Sequence, residues 1–396
     1  MNVSRHPVGT TVRGWRLVPM LLLGLVVALV ASCGGGGSEA APADSGQPEV
    51  RFAPENGSKD VSPAEPVLAT ADGGRIVEAT LTNEEGAEVA GSVSGDGQTW
   101  SPDGKLGYSR TYTLSVAVQR EDAPPVRQQS TFSTLSPDAQ TYVSMNPLDG
   151  ETVGTGQPLA FYFSGDAPPP DKRAAEEAIK IRTEPAVEGA FYWFDDREVH
   201  WRPKDYWQPG TQVSVDVDVY GKKLGDGLWG QEDRRAEITI GDAVVLRADG
   251  SSHQMRVEKN GRLLRTVPIA LGKPDFPSNN GRHVVTEHHE TKFMDSATYG
   301  LPVEAGGYET EVQWAVRISN GGEFLHAAPW AAADLGHRNV SHGCINMTDE
   351  DAKWVYDLLN KGDVVEITNS GGPDLESWDG FGDWQVPWDE WVQGNR

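Results

Sequence analysis

Between positions 213 and 219 the chain alternates strictly, with Val213, Val215, Val217 and Val219 separated by Ser214, Asp216 and Asp218. A period of two places the four valines on one face of an extended strand and the polar residues on the other. The run Thr111 to Val118 alternates similarly, and both runs follow a Trp-x-Pro triplet, Trp100-Ser101-Pro102 and Trp201-Arg202-Pro203. Related turns open the two units, Pro54-Glu55-Asn56-Gly57 before Val61 and Pro147-Leu148-Asp149-Gly150 before Val153. The chain thus repeats a unit of roughly 90 residues built from short strands and Gly/Pro/Asp turns. That pattern predicts two immunoglobulin-like β-sandwiches. Neither has the cysteine pair of antibody domains, so the likeness is architectural. A short helix is expected between Pro170 and Ile181, where Ala174, Ala178 and Ile179 fall at helical spacing.

Past Gly241 the pattern changes. Strands are expected at Ala243 to Ala248, His253 to Glu258 and Leu263 to Leu271, with Asn260-Gly261 as the hairpin turn between the last two. A helix follows Thr348, which can cap it with Asp351 three residues on, while Asp349 and Glu350 suit the positive end of its dipole. Its apolar face is Ala352, Val355, Leu358 and Leu359, and Gly362 is expected to stop it before a strand at Val364 to Ile367. Trp378, Trp384, Trp388 and Trp391 then crowd a stretch with no strand or helix period, read as an irregular tail docked by its indoles on the preceding domain. The expected class is mainly β. The segments are 1–33 targeting, 34–49 tether, 50–138 and 139–241 sandwiches, 242–370 a β-rich domain with one or two helices, and 371–396 the Trp-rich tail.

A length of 396 residues accommodates several domains, and a net charge of −24 argues against nucleic acid as a partner. The leader's only charges are Arg5, Arg13 and Arg16, so the remainder is more acidic still. Arg13 and Arg16 precede an apolar run from Leu17 to Ala31, about 15 residues and shorter than the roughly 20 that span a bilayer. Small residues then lead into Cys33, an arrangement that resembles a bacterial lipoprotein signal. That resemblance implies a lipid on Cys33, a membrane anchor and an extracytoplasmic protein; an uncleaved anchor or a plain secretory signal are the alternatives. Gly34 to Pro48 has the composition of a flexible tether.

With Cys33 acylated, Cys344 is left without a partner, which is unusual in an exported protein. Its surroundings are Ser341-His342-Gly343-Cys344-Ile345-Asn346, and His326-Ala327-Ala328-Pro329-Trp330 begins eighteen residues upstream. A thiol attacks as thiolate and is expected to need a base or cation that lowers its pKa; His326 or His342 could serve. Gly343 frees the backbone, and the amides of Gly343 and Cys344 could face an oxyanion. A zinc site on His326, His342 and Cys344, a buried structural thiol and a redox sensor stay open as alternatives. No metal or cofactor is expected. His288 and His289 are read as exposed loop residues, and His337 and Arg338 as solvating the loop that carries Cys344.

The six-residue run with its distant histidine resembles the signature of the YkuD-type L,D-transpeptidases, over about Ala243 to Ser370. The full layout is similar to the large actinobacterial (mycobacterial-type) members, and Gly382-Asp383-Trp384 and Pro387-Trp388-Asp389-Glu390-Trp391 resemble their tail. The resemblance implies Cys344 as nucleophile and His326 as base, oriented by the carbonyl of Ala327, where relatives often have Ser. It implies oxyanion amides at His342, Gly343 and Cys344, with Ser341 and Asn346 at the site. Met294-Asp295, Tyr299 and Tyr308 match a lid around a substrate tunnel, with Trp330 beside it; Tyr299 also reads as a turn-packing residue. Pro277-Ser278-Asn279-Asn280-Gly281 departs from the family's Pro-Thr-Gly turn. The implied reaction joins peptidoglycan stem peptides, a donor tetrapeptide and an acceptor stem, through a Cys thioester with release of D-Ala, giving 3→3 cross-links. Carbapenems are implied covalent inhibitors. Rival functions are an L,D-carboxypeptidase-like hydrolase and a non-catalytic wall-binding scaffold.

Overall fold

The computed structural model describes residues 48–396; the leader, Cys33 and the tether expected after it lie outside the described residues. The described chain is mainly strands, arranged as three successive pairs of sheets. In the first pair, strands Glu49–Ala53, Leu68–Asp72, Gly91–Val93 and Thr99–Pro102 face a sheet centred on Arg75–Asn83 and Thr111–Gln119. Alternation along Thr111–Gln119 drives Leu114, Val116 and Val118 inward against Trp100 and Phe132. In the second pair the alternating valines do the same: Val213, Val215 and Val217 on strand Gln212–Val217, and Val219 just beyond it, are all buried with Trp193 and Trp201. The expected helix forms at Lys172–Glu177, its first turn capped by the Asp171 carboxylate on the Ala174 N–H at 3.0 Å.

The third module packs a five-stranded sheet against a four-stranded one. The five-stranded sheet runs Arg262–Pro268, Gln254–Lys259, Val244–Asp249, Val364–Thr368, Gly281–Val284. Asn260 and Gly261 both take positive φ, as a type I′ hairpin between twisted strands demands. The other sheet runs Glu287–Asp295, Glu309–Arg317, Phe324–Ala327, Ile345–Met347. His288 and His289 therefore lie on a strand and not in a loop; His288 is half-buried with its ring edge-on to Tyr356 at 5.4 Å. Helix Asp349–Leu358 starts where expected, Thr348 Oγ1 accepting the Asp351 N–H at 3.1 Å, and buries Ala352 and Val355.

Two expectations change. Gly362 does not stop the helix, which ends with Leu359 in an extended conformation. Gly362 is instead a contact between modules: Gly154 N–H bonds the Lys361 carbonyl and Gly156 N–H the Gly362 carbonyl, both at 2.8 Å. A Cβ on Gly154 would lie 2.3 Å from Asp363 N, so only glycine permits this backbone approach. The tail docks on the preceding module as expected, with Leu375 N–H on Asn280 O and Gln385 Nε2 on Arg282 O, each at 2.8 Å, but its indoles reach further, onto the second sandwich. Trp391 stacks on Tyr192 at 4.8 Å, and its indole N–H bonds the Ala190 carbonyl. The indole of Trp384 donates to Gly156 O at 2.7 Å. Arg202 lies under Trp384, Trp388 and Trp391, its guanidinium carbon 4.7, 5.5 and 4.3 Å from their rings. The tail is not wholly irregular: short helical turns form at Gly382–Gln385 and Trp388–Trp391.

Beneath the tail, buried His200 bridges Asp383 Oδ1 at 2.8 Å and Glu198 Oε1 at 2.9 Å. Burial alone would lower its pKa, but the two carboxylates outweigh that and push it up to about 9. A group whose folded pKa is raised stabilises the fold fully below its unfolded value and loses that contribution as pH climbs through the folded one. Wild type should therefore exceed H200Q in stability by on the order of 3 kcal/mol near pH 6, and that gap should shrink from about pH 6.5 upward and be nearly gone once pH passes about 9. Denaturant melts of both proteins from pH 6 to 10 check this; a gap that ignores pH removes the ion pair from the account.

Candidate active site

The spacing of eighteen positions from His326 to Cys344 has a topological cause. Phe324–Ala327 and Ile345–Met347 are parallel neighbours, and parallel strands need a crossover between them. In register, His326 stands opposite Asn346 and Leu325 opposite Ile345. Cys344 immediately precedes its strand, so the crossover returns the thiol to the sheet that carries the imidazole. Gly343 makes the bend at φ +123°, where side chains are strained. Ser341 Oγ ties the bend together, donating to Cys344 O at 2.6 Å and accepting the Gly343 N–H at 3.1 Å. From behind, Ser278 Oγ donates to Gly343 O at 2.6 Å and accepts the Gly272 N–H. The departure at Pro277–Gly281 thus carries a serine that braces the nucleophile loop.

Cys344 is 3% exposed. Its sulfur lies 3.7 Å from the Gly322 carbonyl and also meets the Phe324 N–H and the Tyr308 hydroxyl. Burial pushes the thiol up to about 12, and the nearby Glu323 carboxylate adds to the rise; the Phe324 amide and Tyr308 oppose it. Tyr308 is itself raised by burial and by the neighbouring sulfur. His326 is buried, which lowers its pKa, while a 2.8 Å bond from its Nδ1 to the Ala327 carbonyl works the other way. The expectation of a thiol whose pKa is lowered by its neighbours is therefore corrected: burial outweighs them, and it shifts Cys344 and His326 alike toward their neutral forms. With Nδ1–H given to Ala327, the lone pair of His326 sits on Nε2.

A cavity of about 460 Å³ joins these groups, lined by Met294, Tyr308, Trp330, Ser341, Asn346, His342, His326 and Cys344 among others. His342 Nε2 accepts from Lys273 Nζ at 2.9 Å, and its ring packs between Phe276 and Tyr308, each with centroids at 5.0 Å. A nitrogen holding an ammonium cannot ligate zinc, and among the described residues no group of three or more His, Cys, Asp or Glu side chains is placed to hold a metal. Asn346 is 3% exposed and its Oδ1 has no partner among the described residues. Tyr299 stands outside the cavity: its hydroxyl accepts from Arg317 at 3.1 Å and its ring covers Gly322, so it packs against the segment that touches the sulfur. Asp295 caps the turn Ser296–Tyr299.

Sequence reasoning missed Thr310, Ala331, Asp334 and Val340, which also line the cavity, and Lys273, Ser278 and Glu323 behind it. Glu323 is buried with His283, Nε2 to Oε2 at 3.1 Å, and accepts the Asn279 N–H at 2.7 Å. No spacing links these positions to Cys344; only a buried charge inside the strand-like run Glu323-Phe324-Leu325 signals that something unusual sits there.

Comparison with known proteins places this geometry. Residues 243–367 match the L,D-transpeptidase catalytic domain, and residues 58–223 match a bacterial Ig domain. L,D-transpeptidase 2 of Mycobacterium tuberculosis is 41% identical over 97% of this chain and 95% of its own length. L,D-transpeptidase 5 of the same species is 37% identical over 87% of this chain and 76% of its length. The solved structure of the LD transpeptidase LdtMt1 in complex with imipenem is 35% identical with a TM-score of 0.51, covering 59% of this chain and 100% of that one.

The neutral resting pair has a direct readout. Alkylation of Cys344 by iodoacetamide in the folded protein should run at least tenfold slower at pH 7.5 than after unfolding, and should keep rising beyond pH 10. A rate that levels off below pH 8 contradicts a buried, protonated thiol.

Proposed function

The chain belongs to the L,D-transpeptidases, and from that premise we propose that Cys344 forms a thioester with a peptidoglycan donor stem and passes it to an amine of a second stem. The observation that carries this reading is the pairing, in the lining of one cavity, of buried Cys344 with a buried imidazole whose Nδ1 is fixed on the Ala327 carbonyl. His326 Nε2 takes the thiol proton as sulfur attacks the carbonyl of the third stem residue, a diaminoacyl centre. The C–N bond to the terminal D-Ala then breaks, and the imidazolium returns its proton to the departing amine. In the second half, the side-chain amine of the acceptor attacks the thioester and gives up a proton to His326. The C–S bond breaks, the thiol re-forms, and the product is a 3→3 cross-link.

Because sulfur and imidazole start neutral, charge separates only as the tetrahedral adduct forms. The donors facing the oxyanion are the amides of His342 and Cys344, since the Gly343 N–H is held by Ser341 Oγ. His342 is held by Lys273 and so leaves the base role to His326. Met294, Tyr308 and Trp330 supply the walls for the stem, and the unpartnered Asn346 Oδ1 offers an acceptor to a substrate N–H. The imipenem complex of the relative supports carbapenems as ligands here, and we read Cys344 Sγ as the atom they acylate. Water in place of the amine would turn the enzyme into a carboxypeptidase. We further read Cys33 as lipidated, which holds the enzyme at the outer face of the membrane. The two sandwiches then extend it into the wall by about 40 Å each.

Intact mass spectrometry with a stem tetrapeptide and, separately, with imipenem tests the chemistry. Wild type should gain the donor acyl mass with loss of D-Ala and should gain one imipenem; C344A should gain neither, and H326A should acylate at least a hundredfold more slowly. An adduct on C344A would sink the assignment.

A further inference from the structure

Given that reading, the acceptor amine needs a route to the thioester that ends beside His326, because that imidazole must remove its proton. On the cavity side His326 is flanked by Trp330, with ring centroids at 6.1 Å, and Trp330 is 59% exposed. The same wall is formed by the crossover loop and carries Asp334, the one carboxylate among the residues lining the cavity. The loop holds Asp334 firmly: its N–H bonds the Ala331 carbonyl at 2.8 Å, and its own carbonyl accepts from His337 and Arg338. Two bonds anchor the loop to the core, Gly336 N–H to Ile269 O and Leu271 N–H to Asn339 Oδ1, each at 3.0 Å.

We propose that Asp334 and Trp330 form the subsite that captures the cationic side-chain amine of the acceptor stem. An amine of lysine type arrives protonated at neutral pH. The Asp334 side chain, 18% exposed, offers that ammonium a carboxylate, and the indole face of Trp330 offers a second attraction on the path to His326. The carboxylate's present partner is the Arg338 guanidinium, which is 73% exposed. Only the guanidinium end of this pair faces solvent, and a pair held by so exposed an arginine is weak, so an incoming ammonium can share or replace Arg338. Asp334 does not take the proton. It gathers the charged form, and His326 converts it to the nucleophile. Asp334 thus acts on specificity, and its effect belongs in acceptor KM and not in the rate of donor acylation.

The experiment uses the full chain with a synthetic stem tetrapeptide as donor and a stem tripeptide with a free side-chain amine as acceptor. D-Ala release and cross-linked product are followed together. D334N should raise acceptor KM about tenfold while leaving the first-turnover burst of D-Ala, measured without acceptor, and acylation by imipenem unchanged. D334E should recover most of the loss, and R338Q should lower acceptor KM. Hydroxylamine, uncharged at pH 7.5, should intercept the thioester equally well in wild type and D334N. An unchanged acceptor KM in D334N with normal D-Ala release overturns the subsite and leaves the proposed reaction standing. An equal loss with hydroxylamine, or slower donor acylation, makes Asp334 a structural residue and overturns it too. Failure of wild type to release D-Ala removes the reaction itself.

Discussion

Everything at the site hangs on the parallel pairing of two short strands, Phe324–Ala327 and Ile345–Met347. Because the pair is parallel, the chain must leave the sheet after the histidine and return before the cysteine, and the crossover supplies the cavity wall. The nucleophile sits at the mouth of a strand buried on both sides, which desolvates it; the base is held within the partner strand. Placement and protonation state are two results of one topology. The same burial that fixes the geometry keeps the pair uncharged until a substrate arrives.

Much of this was legible in the residues. The alternating valines mark their strand because one face had to be apolar, and Asn260-Gly261 marks its hairpin because positive φ is needed at both positions. The helix start was readable from Thr348 for a local reason of the same kind. Local sequence also marked Cys344 and His326, since Ser-His-Gly-Cys-Ile-Asn with a histidine eighteen positions upstream resembles a known nucleophile signature. What stayed hidden is what only tertiary approach creates. Lys273 reaches His342 across 69 positions and Ser278 reaches Gly343 across 65. Tyr299 belongs to the matched lid segment but faces Arg317 and Gly322, a direction set by packing that no motif encodes.

The tail shows how one half of a docking surface stays out of sight in the sequence. Four tryptophans in an aperiodic stretch announce burial but not an address. The address is given by polar groups at distant points in the sequence: Arg202 between the indoles and His200 above Asp383. With Trp384 donating to Gly156, the tail closes over the same loop that meets Gly362. Second sandwich and third module are thereby joined through backbone contacts and a strap laid across them.

The buried, protonated thiol also bears on how long the enzyme lasts. Sulfenic acid formation starts from the thiolate, and over-oxidation of a cysteine with no resolving partner is not repaired. Among the described residues Cys344 is the only cysteine, so no disulfide can rescue it there. Keeping the sulfur protonated between turnovers withholds it from peroxides, so the burial that makes the nucleophile slow to ionise also sets its chemical lifetime.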